Sequence, residues 1–146
     1  MPTAFLQALV VAIGIAALAF LLWEPHLEGR NAHATLVEVY FHDPFLAYAY
    51  LASIPFFIVL WQTFTVIGAA GRQALASAPV GAALRTIRSC ALAMIGFVVL
   101  GEAFLLPHAG DDRPQALMLG LLIACGAAAI AAAAAMVERA ARKAAR

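Results

Sequence analysis

The sequence predicts an all-α bundle of four transmembrane helices, and three observations carry that reading. Four long apolar stretches, separated by short polar gaps, account for most of the 146 residues. The composition is 65% hydrophobic and only 12% charged, with a mean hydropathy of +0.93. A soluble domain with so little polar surface would expose apolar patches and aggregate, whereas a lipid-facing surface requires this composition. The charges are also sorted by sign. The second gap and the C-terminal tail hold seven of the nine Lys and Arg, while the first and third gaps hold six of the eight Asp and Glu. The whole chain carries a net charge of only +1, so no direct nucleic-acid binding is expected.

The spans are expected at about 4–23, 44–67, 81–106 and 114–137, forming one integral membrane unit over residues 1–146. About 20 apolar residues suffice to cross the bilayer core as a helix. The first span has no charge between Ala4 and Trp23. Ala17-Leu18-Ala19 faintly resembles a signal-peptidase site, but no Lys or Arg precedes Arg30, so a retained helix is expected. Asp43-Pro44 reads as the start of the second span, the carboxylate capping and the proline taking the first helical position. Pro55, near the middle of that span, frees the carbonyl of Leu51 and is expected to kink the helix. Gly68 to Pro79 reads as a short connection, and Pro107 ends the third span. Pro114 opens the fourth, and the tail from Glu138 to Arg146 is expected to extend it helically. Cations there suit the negative end of the helix dipole.

Orientation follows from the positive-inside rule, counted on Lys and Arg in short loops. The second gap region carries Arg72, Arg85 and Arg88, and the tail carries Arg139, Arg142, Lys143 and Arg146; the first and third gaps carry only Arg30 and Arg113. Both termini are therefore expected in the cytoplasm of a bacterial inner membrane. Trp23, Tyr40, Tyr48 and Tyr50 then cluster near the outer interface, where amphipathic rings prefer to sit. Small residues recur every four positions along the fourth span at Gly120, Ala124, Ala128 and Ala132, and along the first at Ala8, Ala12 and Ala16. Such stripes permit close helix approach, within one bundle or across a homo-oligomer interface.

Three groups of residues are candidates for function. Glu102 is the only acid inside a span, roughly 7 to 8 Å below its outer end, where an ionisable group is either a proton or cation site or an interfacial carboxylate that snorkels outward. Tyr48, Tyr50, Ser53 and Gln115 are expected at a similar depth. The histidines His26, His33, His42 and His108 all fall on the outer face beside Glu24, Glu28, Glu38, Asp43, Asp111 and Asp112. A metal or pH sensor is conceivable there, but no ligand spacing is recognisable and solvated loop residues account for them. Arg72, Arg85, Arg88, Arg139, Arg142 and Lys143 form a basic cytoplasmic face whose first role is topological and whose second is to attract anionic headgroups or a protein partner.

No metal site or cofactor is expected. No histidine lies within a span, which argues against a bis-histidine haem, and no phosphate-binding glycine loop or nucleophile elbow is present. Cys90 and Cys125 fall inside apolar stretches and read as small buried residues. An enzymatic role is therefore not expected.

Asp43-Pro44-Phe45-Leu46, Ser53-Ile54-Pro55-Phe56-Phe57 and Trp61-Gln62 resemble the second helix of the bacterial domain-of-unknown-function 2975 family. Ala83-Leu84-Arg85-Thr86-Ile87-Arg88-Ser89-Cys90-Ala91-Leu92 is similar to the start of its third helix. The resemblance implies a small four-helix inner-membrane protein, often encoded beside a helix-turn-helix regulator, and so a regulatory or tethering role. It supplies no catalytic residues. The alanine-rich fourth span departs from the family's pattern. The expected function is thus partner binding at the cytoplasmic face, with a proton-coupled carrier using Glu102 and an outer-face metal or pH sensor as alternatives.

Overall fold

A computed structural model describes residues 2–23, 35, 44–105 and 113–144. Four helices make up the described chain: α1 (Pro2–Trp23), α2 (Pro44–Gly71), α3 (Ala78–Leu105) and α4 (Arg113–Ala144). All four are long and apolar enough to cross a membrane. There is no strand among the described residues. Each helix packs chiefly on its neighbours in sequence, α1 on α2, α2 on α3 and α3 on α4; no other pair of described helices shares a comparable interface.

Helix ends differ from the expected spans for identifiable reasons. Helix α2 runs four residues beyond the expected Ile67, through Gly68 and Gly71. These glycines are packing positions rather than turn signals. A Cβ on Gly68 would lie 2.9 Å from Gln7 Nε2, and one on Gly71 would lie 3.0 Å from Thr3 Cγ2, both on α1. What ends α2 is Gln73, whose φ of 55° places it in the left-handed region. The Ala74 N–H donates to Ala69 O at 2.9 Å and the Gln73 N–H to Ala70 O at 3.1 Å, the paired bonds of a Schellman cap. Helix α3 begins at Ala78, before the expected Gly81. Ser77 caps it, its carbonyl accepting the first helical bond from Gly81 at 3.1 Å, and Pro79 sits in the first turn, where no N–H is needed.

Pairs of helices meet along seams that alternate steps of three and four residues, the spacing of left-handed, nearly aligned packing. On α1 the partly covered positions are Thr3, Gln7, Val10, Gly14, Ala17 and Leu21. On α4 the covered positions are Gly120, Ala124, Ala127, Ala131, Ala134, Glu138 and Ala141, flanked by partly covered Ile130 and Ala135. Only Gly120 and Ala124 of the four-residue stripe lie in this seam, while Ala128 and Ala132 are exposed, as are Ala8, Ala12 and Ala16 on α1. Geometry explains the difference: a strict four-residue step advances about 40° around the helix each time, so such a stripe winds off the interface.

A core cluster of buried side chains, Val59, Ala69, Val80, Leu84, Ile87 and Ala134, runs from mid-span towards the α2–α3 turn. Ala69, Val80 and Leu84 lie on the helix ends that flank this turn. Apolar groups there gain by mutual burial what lipid supplies free along the rest of the helices. Helix α2 is continuous through Pro55, which is buried, and Ser53 Oγ, two residues before it, donates back to Tyr50 O at 2.7 Å.

Candidate functional site

The antiparallel α3–α4 seam gathers charge at one end. Arg85 and Arg88 stand one turn apart on α3, and Arg139 and Arg142 one turn apart on α4. With Ala135 and Glu138 they line a cleft of about 280 Å³. Arg142 Nη2 donates to Glu138 Oε1 at 2.6 Å; the guanidinium is 71% exposed, whereas the carboxylate side is only 13% exposed. Glu138 lies just beyond the charge-free stretch 114–137 of α4. The hydrogen bond from Arg142 holds its carboxyl below the ordinary range. Some desolvation opposes this, and the positive charges of Arg142, Arg85 and Arg88 reinforce it.

Of the six residues of the expected basic face, Arg85, Arg88, Arg139 and Arg142 come together in the cleft. Arg72 and Lys143 do not line it. Arg72 lies in the α2–α3 turn with its guanidinium turned back beside Gly68, Nη1 being 3.7 Å from the point a Cβ there would take. In the sequence, Glu138 reads only as the start of the basic tail. The signal that marks it is the four-residue spacing to Arg142, which puts acid and base on one helix face.

At the other end of the same seam lies Glu102. Its carboxylate rests on Gly120 of α4, with Oε1 standing where a side-chain carbon would be on any other residue; a Cβ there would be 2.9 Å from Cδ and 3.2 Å from Cγ. A Cα–H of Gly120 therefore points at the acid, a weak contact of about 0.5–1 kcal/mol. Glu102 Oε2 is buried with no hydrogen-bond donor among the described residues. The notch at Gly120 was hidden in the sequence, where that glycine read only as part of a smooth stripe.

Of the residues expected at the depth of Glu102, Tyr48 donates its hydroxyl to Phe97 O of α3 and packs edge-on against the Phe97 ring, centroids 5.9 Å apart. Its ring also covers Gly101, where a Cβ would meet Cε1 at 3.1 Å. Tyr50 turns the other way and donates to Leu21 O of α1 at 3.0 Å. Gln115 is exposed. Helix α3 thus presents Gly101 to α2 and Glu102 to α4. The histidines His26, His33, His42 and His108, with the acids beside them in the first and third gaps, lie outside the described residues.

Comparison with known proteins points to a membrane protein of unknown function. A family described as protein of unknown function (DUF2975) matches residues 26–146. The chain is 29% identical over 141 residues to the uncharacterized membrane protein YoaS of Bacillus subtilis (strain 168), a match that covers 95% of this chain and 88% of that one. No solved structure matches it. With four membrane-spanning helices, and a family match over all but its first span, this chain belongs to the DUF2975 family.

Proposed function

We propose that the protein is a non-enzymatic docking component of a bacterial inner membrane, with both termini and the α2–α3 turn in the cytoplasm, and that its basic end recruits a soluble regulatory protein. The observation that supports this reading is the convergence of Arg85, Arg88, Arg139 and Arg142 from two helices, with Glu138 as the one carboxylate in their cleft. Charge gathered from separate helices favours an acidic partner through long-range steering and complementary contacts. A helix-turn-helix regulator is the class of partner that the family resemblance implies. Arg72 in the α2–α3 turn and Lys143, next to Arg142 in sequence, are exposed and add charge at the same end of the bundle.

The test is purification of the full chain in mild detergent from its host cells, with any co-purifying cytoplasmic protein identified and quantified. Stoichiometric recovery is expected, and it should fall when Arg72 and Arg139 are reversed to Glu, with reporter fusions at the C-terminus confirming unchanged orientation. Failure to recover any cytoplasmic protein at stoichiometry counts against docking.

One observation favours a second reading, a proton-coupled carrier: the buried, donorless Oε2 of Glu102 inside a span. Under it, Glu102→Gln abolishes flux in proteoliposomes and leaves the fold intact. Unchanged flux in that variant removes Glu102 from any transport role.

A further inference from the structure

We propose that the cleft between α3 and α4 holds the phosphate of an anionic phospholipid headgroup, drawn from the leaflet at the basic end of the bundle. It uses the same cleft as the proposed docking role, so lipid and acidic partner would compete there, but it is tested without any protein partner. Its first support is charge. Arg85, Arg88, Arg139 and Arg142 face one carboxylate, Glu138, so the cleft keeps a surplus of three positive charges even after the Arg142–Glu138 pair has formed. Guanidinium forks match phosphate oxygens and bind them with paired, charge-assisted hydrogen bonds.

Its second support is depth. Residues 114–137 of α4 contain no charge, and these 24 positions span about 36 Å as a helix, enough to cross a bilayer's hydrocarbon core of roughly 30 Å. Glu138, Arg139 and Arg142 begin where that core ends, at the level of lipid phosphates. Antiparallel packing sets Arg85 and Arg88 at the same level, with Ala135 as the cleft's apolar wall on the hydrocarbon side. The third support is size. The volume of about 280 Å³ lies just under the roughly 300–1,000 Å³ of sites for drug-sized molecules, and so suits a phosphate with a short substituent.

The experiment uses the purified full chain in non-ionic detergent. Binding is read by native mass spectrometry and thermal unfolding with added dioleoylphosphatidylglycerol, dioleoylphosphatidylcholine or inorganic phosphate. Phosphatidylglycerol should remain bound and raise Tm by a few degrees, while phosphatidylcholine and millimolar phosphate do neither. Arg88→Gln and Arg139→Gln should each weaken phosphatidylglycerol binding about fivefold. Glu138→Gln should strengthen it severalfold, a gain that misfolding does not produce. Arg72→Gln, outside the cleft, should leave it unchanged. Equal binding of the two lipids, or the same protection by inorganic phosphate alone, overturns the lipid assignment. So does parental affinity in both Arg88→Gln and Arg139→Gln, or a loss in Arg72→Gln that matches theirs.

Discussion

The α3–α4 and α1–α2 seams use the same alternation of three- and four-residue steps, yet they bury very different amounts. Ala127 and Ala134 on α4 are 1% and 5% exposed, and Ala91 on α3 is fully covered. No described position on α1 reaches that state; its seam is partly covered at best, and its remaining faces carry exposed Phe5, Leu9, Ile15 and Phe20. Lipid is as apolar as leucine, so helices in it associate through close packing and interhelical hydrogen bonds rather than by hiding hydrophobic surface. Helix α4 presents glycine and alanine, which let backbones approach. The α1–α2 seam has glycines too, Gly14 on α1 and Gly68 and Gly71 on α2, but mixes them with longer residues and adds two side-chain bonds to carbonyls, Gln7 Nε2 to Phe64 O at 3.2 Å and Tyr50 Oη to Leu21 O at 3.0 Å. A run of small residues makes the tighter interface, and hydrogen bonds supplement the looser one.

This contrast can be broken at the α4 seam first. Gly120→Val places a branched side chain where the Glu102 carboxylate rests, and is expected to cost about 3 kcal/mol of stability, read from loss of helicity as SDS is titrated into detergent-solubilised protein. Gly120→Ala should cost less, about 1 kcal/mol, because the flexible end of Glu102 can move aside. A neutral Gly120→Val would mean that the acid does not occupy this notch. Next in size, Ala127→Leu should cost about 2 kcal/mol in the same titration, while Ala128→Leu, one residue on and lipid-facing, costs under about 0.5 kcal/mol. Equal losses at the two sites would place the interface elsewhere on α4.

Smaller effects test the turn and the looser seam. Gln73→Gly relieves a left-handed residue that carries a Cβ and should stabilise the protein by about 1 kcal/mol, seen as a later SDS midpoint. Gln7→Leu removes the bond to Phe64 O and should cost about 0.6 kcal/mol, the usual worth of a side-chain hydrogen bond between transmembrane helices. A loss at Gln7 larger than that at Ala127 would invert the ranking of the two seams.

Much of the fold was legible because membrane insertion imposes length and polarity on each helix separately. The four spans and the helical tail beyond Val137 follow from local chemistry, whereas the start of α3 at Ala78 lay inside the expected connection. Gly68 and Gly71 misled for a physical reason. In isolation glycine weakens a helix, but here the lost Cβ atoms make room for Gln7 and Thr3 of α1, and that gain depends on a neighbour which a local pattern does not reveal. The alanines of α4 posed the same difficulty: with so many small residues, spacing alone did not select the buried face.

The sequence by itself determined that this is a four-span membrane protein, that its cations lie in the second connection region and the tail, and that Glu102 is the acid within a span. Those properties belong to single helices and to charge counting. Only the tertiary structure decided which residues meet: that Glu102 rests on Gly120, that Tyr48 and Tyr50 reach opposite neighbours, and that Arg85 and Arg88 join Arg139 and Arg142 around Glu138. The physical reason is that meetings between helices depend on rotation and register. Both are set by groups far apart in sequence, as the Gln7 side chain and the Phe64 carbonyl are at 57 residues, that come together only when the helices pack.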